Sequence, residues 1–191
     1  MVTPALMVYL GVLAAIAVER LVELRVSKRN AALAFEQGGL EIGAPHVRVM
    51  TALHALWFVA CAAEPFVRHT AFIAPWSFVF LALAIASQGL RWWAIGTLGP
   101  RWNVRIIVVP GAEPVTGGPY RFVRHPNYLA VITELACVPL IHTNWVTALV
   151  FSLANAALLS VRIRAEEQAL GGSYAQAFAH TRRFVPGARH D

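Results

Sequence analysis

Long uncharged stretches dominate the pattern of hydrophobic and polar positions along this chain. Residues 1–18, 72–90 and 145–161 contain no Asp, Glu, Lys or Arg. A helix that crosses a bilayer needs about 20 mainly apolar residues, with a range of about 17–25. The pattern therefore predicts three membrane-spanning helices in these stretches.

Two further apolar stretches are interrupted. Residues 49–63 continue past Glu64 to residue 67, and residues 129–141 are short and contain Glu134. We interpret both as spans, which predicts an all-α integral membrane protein with about five transmembrane helices and no Rossmann fold. A single domain, 1–191, would consist of three N-terminal spans (1–98), a cytoplasmic loop (99–127), a helical hairpin (128–165) and a cytoplasmic tail with a C-terminal helix (166–191).

Basic residues fall almost entirely on one side of the predicted spans. The chain has 16 Lys and Arg against 10 Asp and Glu, a formal net charge of +6. With five spans, every Lys and Arg except Arg68 flanks the same side, and the positive-inside rule then predicts an outside N-terminus and a cytoplasmic C-terminus. Anionic lipid headgroups account for this charge, so nucleic acid is not expected as a partner.

The third connection is the longest and carries most of the glycine and proline breaks. Within it, residues 104–109 form a short β-like stretch. A long loop of this kind is usually functional. The tail behaves differently, because residues 166–180 have the spacing of an amphipathic helix.

A polar cluster lies where the fourth span begins. His125 and Pro126 precede Tyr128, and proline suits a first helical turn because its missing N–H leaves nothing unpaired. The free N–H groups of such a turn attract anions, and Arg121 and Arg124 come just before it. Alternatively, these residues are ordinary interfacial anchors.

A second polar cluster ends the last span. It contains Arg162, Glu166 and Glu167. Because the last two spans form a hairpin, Tyr128 and Glu166 should lie at the same end and form one site. The alternative is a local ion pair between Arg162 and Glu166, which share a helix face.

Glu134 is an ionisable residue at membrane depth, which by default suggests function. The alternative is a structural glutamate bonded to His54 or Gln88. Arg91, followed by two tryptophans, is expected to anchor the end of the third span at the membrane interface, with stacking on a ligand as the alternative.

Several common catalytic patterns do not occur in the sequence. There is no Gly-x-Gly-x-x-Gly fingerprint, no His-Glu-x-x-His and no Gly-x-Ser-x-Gly. Neither the seven histidines nor the two cysteines have a metal-ligand spacing, so no metal is expected. Cys61 and Cys137 lie in apolar stretches and are expected to be small buried hydrophobic residues.

The polar clusters together resemble the isoprenylcysteine carboxyl methyltransferase family. The resemblance extends from Gly117 to Pro186. It rests on the motifs Gly118-Pro119-Tyr120-Arg121-Phe122-Val123-Arg124-His125-Pro126-x-Tyr128, Arg162-x-x-x-Glu166-Glu167-x-x-Leu170, Gly172-x-Tyr174-x-x-x-Phe178 and Arg183-Phe184-Val185-Pro186.

The resemblance implies a membrane methyltransferase, in a bacterial inner membrane, that uses S-adenosyl-L-methionine and a lipophilic or prenylated acceptor. It implies that the cytoplasmic loop is cofactor-binding, and it assigns cofactor contacts to Tyr120, Arg124, His125, Pro126, Tyr128, Glu166 and Glu167. Arg162 becomes a candidate catalytic residue that holds a carboxylate of substrate or cofactor. Glu134, outside the family motif, is added as a second catalytic candidate because a hydroxyl acceptor would benefit from a base.

Other functions remain open. The segment from Glu19 to Asn30 resembles bacterial relatives thought to methylate the hydroxyl of alkylpyrones or alkylresorcinols, so carboxyl and hydroxyl acceptors are both possible. A sterol-type reductase that uses NADPH would belong to a different class, as would a non-catalytic membrane scaffold or small transporter.

Overall fold

The structure, a computed structural model, describes residues 3–186, and five α-helices lie in that range. They are α1 (Pro4–Glu36), α2 (Ala44–Arg68), α3 (Trp76–Leu98), α4 (Pro126–Leu140) and α5 (Trp145–Ala177). All but α4 are long and apolar enough to cross a membrane, and α4 is a shorter apolar helix. The predicted helical membrane fold without a Rossmann domain is confirmed. The first two residues of the first predicted span, and Arg189 in the tail, lie outside the described residues.

Helix α1 shows why these stretches form helices. The side chain of Thr3 accepts a hydrogen bond from the backbone N–H of Leu6 and so caps the first turn. The buried residues Leu6, Tyr9, Leu13 and Ile16 recur every three or four positions, which places them on one helix face. The helix continues to Glu36, well past the apolar stretch, and therefore projects beyond the bilayer.

The core lies where α1, α2, α3 and α4 meet. Trp57, Leu135 and Val138 are completely buried there, and the indole N–H of Trp57 donates to the carbonyl of Leu135 over 3.3 Å. Many large apolar side chains lie on the outside instead, such as Val59 and Ile85, which are 64% and 65% exposed. An apolar exterior around an apolar core is the arrangement that a lipid environment requires.

A buried polar network joins α1 and α2 to the turn between α4 and α5, which we call the turn end of the hairpin. The carboxylate of Glu64 accepts from the backbone N–H of Thr147 over 2.8 Å and from its hydroxyl over 2.6 Å. The side-chain amide of Asn144 donates to the hydroxyl of Tyr9 over 3.1 Å, and its oxygen accepts from Thr70 over 2.6 Å. These bonds fix the orientation of α5 against the other helices.

The long loop before α4 is tied to α1 and contains a strand. Strands β1 (Leu40–Ile42) and β2 (Ile106–Val108) pair antiparallel, so the β-like stretch predicted at residues 104–109 is confirmed. The side-chain amide of Asn30 in α1 donates to the carbonyl of Trp102 over 2.7 Å. Short 3₁₀ turns at Gly99–Arg101 and Gly118–Arg121 complete the connection.

The C-terminal helix differs from the prediction. A separate tail helix was expected at residues 166–180, but α5 runs from Trp145 to Ala177 and changes direction only at Gly171. Gly171 has φ 73° and ψ −158°, a backbone conformation that is essentially restricted to glycine. The kink turns the last segment of α5 back toward the loop that precedes α4.

Candidate functional site

The site is built at the open end of the α4–α5 hairpin, opposite its turn. Pro126 occupies the first turn of α4, as predicted, and places Tyr128 one turn into the bundle. The hydroxyl of Tyr128 donates to Glu166 and accepts from Nε of Arg162 over 2.8 Å. Nη2 of Arg162 donates to the carbonyl of Val104 in the loop. The predicted meeting of Tyr128 and Glu166 is confirmed.

The local ion pair considered for Arg162 and Glu166 does not form. Tyr128 lies between them and bonds to both side chains. Both Tyr128 and Arg162 are buried, with exposed fractions of 9% and 2%. A guanidinium held in this way at a fixed angle is suited to bind a carboxylate.

A second network surrounds Glu167 and fastens the tail to the loop. Its carboxylate accepts from Nη2 of Arg183 over 2.5 Å and lies 3.0 Å from Nε2 of His125. Nη1 of Arg124 lies 3.8 Å from the same carboxylate. The backbone N–H of Arg124 donates to the carbonyl of Arg182 over 2.9 Å. Hydrogen bonding to Glu167 raises the pKa of Arg183, so this contact remains charged.

An aromatic group closes one side of the site. Tyr120 from the loop packs with Tyr174 near the end of α5 and with Phe178, which directly follows the helix. The rings of Tyr174 and Phe178 are 4.6 Å apart. Burial, followed by the charge of Glu166, raises the pKa of Tyr120, so its hydroxyl stays protonated. Gly118 allows the close turn before Tyr120, because it has φ +55° and a Cβ there would collide with the side chain of Thr97.

A cavity of about 1040 Å³ connects these elements. Among the predicted site residues, it is lined by Tyr120, Arg124, His125, Tyr128, Arg162 and Glu166. Pro126 and Glu167 do not line it and instead support residues that do. Asn127, Trp102 and Val104 also line it, and sequence analysis did not identify them as candidates.

The cavity reaches from this polar end to apolar side chains. Leu21, Leu24, Phe58 and Val131 are part of its lining. Nη1 of Arg162 and Oδ1 of Asn127 are buried and have no hydrogen-bond partner within residues 3–186. Both therefore offer unused polar groups at the polar end.

Glu134 lies elsewhere, with partners that the sequence did not suggest. It is 1% exposed, accepts from Nη2 of Arg91 over 2.5 Å and lies 3.4 Å from Nη2 of Arg20. The alternative partners, His54 and Gln88, are not bonded to it in the described structure; Gln88 bonds Glu19 and Arg20 instead. Glu134 does not line the cavity, but Arg20 and Arg91 do.

The prediction that Arg91 anchors a helix end is wrong. Arg91 is 4% exposed, and α3 continues beyond it to Leu98. Only the following tryptophans, Trp92 and Trp93, are exposed, as expected for interfacial residues. The sequence did contain a signal for the surroundings of Arg91, namely the charged residues Glu19, Arg20 and Glu23 of α1. A buried arginine needs carboxylates nearby, and α1 supplies them.

No cluster of three or more His, Cys, Asp or Glu side chains with a geometry for metal binding occurs between residues 3 and 186. Cys61 and Cys137 are both buried and free.

The sequence matches a known protein family and two bacterial proteins, and the fold matches a solved structure. The model of the isoprenylcysteine carboxyl methyltransferase (ICMT) family matches residues 80–172. The chain is 39% identical over 158 residues to the uncharacterized protein YpbQ of Bacillus subtilis (strain 168), covering 83% of this chain and 94% of that one. It is 28% identical over 152 residues to an uncharacterized protein of Haemophilus influenzae, covering 79% and 88%.

The structural match is to the eukaryotic intramembrane Ras methyltransferase ICMT. The TM-score is 0.58 at 24% sequence identity, over 75% of this chain and 53% of that one. The present chain thus spans about half the length of the eukaryotic protein, and the match establishes a common fold.

The structure is that of a helical integral membrane protein that shares its fold with the intramembrane methyltransferase. The chain belongs to the isoprenylcysteine carboxyl methyltransferase family, as the motifs between Gly117 and Pro186 predicted.

Proposed function

We propose that this protein is an S-adenosyl-L-methionine-dependent O-methyltransferase whose acceptor is a lipophilic molecule of the membrane. The observation that carries the proposal is the continuous cavity. Its lining includes Tyr128, Arg162 and Glu166 at the polar end and apolar residues such as Leu21 and Phe58 elsewhere. A charged methyl donor and a hydrocarbon-bearing acceptor need a cavity with both kinds of lining.

The residues at the polar end fit the proposed cofactor. The unpartnered Nη1 of Arg162 suits a carboxylate, and Oδ1 of Asn127 is an acceptor for an ammonium or hydroxyl group. The aromatic rings of Tyr120, Tyr174 and Phe178 offer a surface for a flat base. S-adenosylmethionine carries all of these groups.

The predicted site residues then have two kinds of role. In this proposal Tyr120, Tyr128, Arg162 and Glu166 contact the cofactor, with Arg124 and His125 at the edge of the cavity. Glu167 and Pro126 position them, since Glu167 joins His125 to the tail and Pro126 starts α4. Glu134 acts through Arg91 rather than by direct contact.

When bound, S-adenosylmethionine supplies an electrophilic methyl group on a positively charged sulfur. The chain contributes alignment and the exclusion of water, which are the main requirements of an in-line displacement. Tyr128 and Val104 hold Arg162 at a fixed angle, and the loop that carries Val104 lines the cavity beside it. A carboxylate acceptor needs no base, whereas a hydroxyl acceptor benefits from one.

The test is methyl transfer by purified protein with labelled S-adenosylmethionine and two acceptors, an S-farnesylcysteine and an alkylresorcinol. We expect label in at least one lipophilic product and binding of S-adenosylhomocysteine by calorimetry. If S-adenosylhomocysteine does not bind and neither acceptor is labelled, the proposal is wrong. Binding of NADPH in the same calorimeter would favour a sterol-type reductase instead.

Two arginines on α5 provide a matched pair of variants. Arg162→Gln should reduce methyl transfer roughly 100-fold and weaken S-adenosylhomocysteine binding, because it removes a charge-assisted contact. Arg164 is exposed and two positions away. Arg164→Gln should keep both quantities within about twofold, as expected for a surface substitution. Equal effects of the two variants would contradict the assignment of Arg162.

A further inference from the structure

A second polar region of the cavity lies between α1, α2 and α3, apart from the open end of the hairpin. Four of its residues line the cavity, namely Arg20, Glu23, His54 and Arg91, and we call them the head-group region. The side chain of Arg91 is buried, with Nη1 3.7 Å from Glu23 and Nη2 2.5 Å from Glu134. Nη1 of Arg20 lies 2.5 Å from Glu23.

The head-group region has unused hydrogen-bonding atoms. Oε1 of Glu23 and Nε of both Arg20 and Arg91 are buried and have no partner among the described residues. Nδ1 of His54 lies 2.8 Å from the carbonyl of Met50, and since a carbonyl only accepts, this nitrogen carries the proton. In the neutral ring, Nε2 of His54 is then an acceptor.

The spacing along α4 relates the two polar regions. Asn127 and Val131 line the cavity, and Glu134, which holds Arg91, follows on the same helix face. Asn127 and Glu134 are seven positions apart along the helix, a rise of about 10 Å. One cavity therefore has two polar regions, with apolar Val131 between them.

Resting on the proposed function, we infer that the head-group region binds the polar group of the acceptor and selects a neutral hydroxyl over a carboxylate. The reason is charge. Glu23 and Glu134 already occupy Arg20 and Arg91, and Glu19 lies 3.0 Å from Arg20, so three carboxylates face two guanidiniums. The formal charge of the cluster is negative.

An entering carboxylate would add like charge to this cluster and would have to displace one of its carboxylates from an arginine. A hydroxyl instead donates to Oε1 of Glu23 or Nε2 of His54, and its oxygen accepts from Nε of Arg20 or Arg91. The unused atoms thus match both functions of a hydroxyl group.

The first experiment compares two ligands that differ only in this group, a 4-alkylphenol and the 4-alkylbenzoate of the same chain length. Binding to the detergent-solubilised protein, in the presence of S-adenosylhomocysteine, is measured by competition at neutral pH. We expect the phenol to bind at least about tenfold more tightly, as like-charge exclusion predicts. Equal binding, or tighter binding of the benzoate, would overturn the inference.

The second experiment uses two glutamates of α1, one that lines the cavity and one that is exposed. Glu23→Gln should weaken phenol binding by about tenfold, because it replaces a carboxylate acceptor in the cavity. Glu36→Gln changes the charge by the same amount but alters an exposed residue that does not line the cavity. It should leave phenol binding within about twofold, since it removes no direct contact. Equal losses of phenol binding in the two variants would show that the phenol makes no specific contact with Glu23, and would refute the inference.

Misfolding and failure of the proposed function give different results. A misfolded Glu23→Gln protein would lose S-adenosylhomocysteine binding as well, and the ligand pair on the unaltered protein still decides the inference. If the unaltered protein binds S-adenosylhomocysteine but prefers the benzoate, the proposed function stands and the inference about the acceptor fails.

Discussion

The two ends of the α4–α5 hairpin carry buried polar networks of similar composition but different character. At the turn end, the carboxylate of Glu64 accepts from the backbone and hydroxyl of Thr147, and Asn144 is bonded through both its nitrogen and its oxygen. At the open end, Arg162 and Asn127 retain polar atoms without partners in the described structure. The open end also borders the large cavity, and Glu64 and Asn144 do not.

Burial and polarity therefore do not distinguish a site from a structural network in this fold. What distinguishes them is whether unused hydrogen-bonding atoms lie beside the cavity, because Nε2 of buried His142 at the turn end also has no partner among the described residues, but His142 does not line the cavity. A satisfied network rigidifies the bundle, whereas unused atoms beside a cavity are available to a ligand. Substitutions at the open end are therefore predicted to change activity and ligand binding, and substitutions at the turn end to change stability.

The largest expected effect is on activity at the open end. Glu166→Gln replaces the carboxylate that accepts from Tyr128 and so weakens the charge-assisted bond that orients Arg162. Methyl transfer should fall by roughly 100- to 1000-fold, as for loss of a preorganised polar contact. The measurement is initial rate with labelled cofactor, with exposed Glu36→Gln as the control.

The thermal unfolding midpoint of Glu166→Gln should remain close to that of the unaltered protein, because the shape of the side chain is preserved. A large loss of stability would mean that the open end is mainly structural.

The turn end should respond in the opposite way. Glu64→Ala leaves the backbone and hydroxyl donors of Thr147 without their acceptor. The free energy of unfolding should fall by roughly 2–3 kcal/mol, since buried groups lose their partner. Unfolding in mixed micelles measures this change, and calorimetry should show unchanged S-adenosylhomocysteine affinity. Loss of affinity in a folded variant would remove the distinction between the two ends.

The smallest predicted effect concerns the kink in α5. Gly171→Ala should lower the free energy of unfolding by about 1–2 kcal/mol, because φ 73° and ψ −158° are strained for alanine. The methyl group of the alanine would meet no atom within 4 Å, so the strain comes from the backbone and not from a collision. The kink also orients Tyr174, so ligand affinity should fall severalfold.

Gly172→Ala is the matched control for the kink. Its added methyl also meets nothing within 4 Å, and its φ is not positive. It should not destabilise the protein. Equal destabilisation by both alanines would indicate that the kink contributes nothing specific.

The hairpin and the meeting of Tyr128 with Glu166 were predictable, because both follow from chain connectivity. Two apolar helices joined by a short turn must run antiparallel, which brings their far ends together. The rotation of each helix about its axis was not predictable. The two tryptophans that follow Arg91 are typical of a membrane interface, and only the packing of α3 on α4 turns Arg91 toward Glu134.

The tail shows a second limit. The Gly171-Gly172 pair is typical of a chain break, but helical hydrogen bonding continues across it, and only the dihedral angles reveal the change in direction. The membrane orientation, with a cytoplasmic C-terminus, follows from the charge pattern and stays a prediction.

The length of α1 and α5 has a consequence for the setting in which the protein works. Each helix has 33 residues. Helix α1 is about 50 Å long and α5 is about 40 Å long up to its kink at Gly171, compared with about 30 Å for the hydrocarbon layer. Both helices line the cavity near their polar segments. The tilt of the two helices therefore sets the height of the cavity relative to the lipid tails. Thinner or thicker vesicles would change that height, and turnover would then vary with the acyl-chain length of the surrounding lipid.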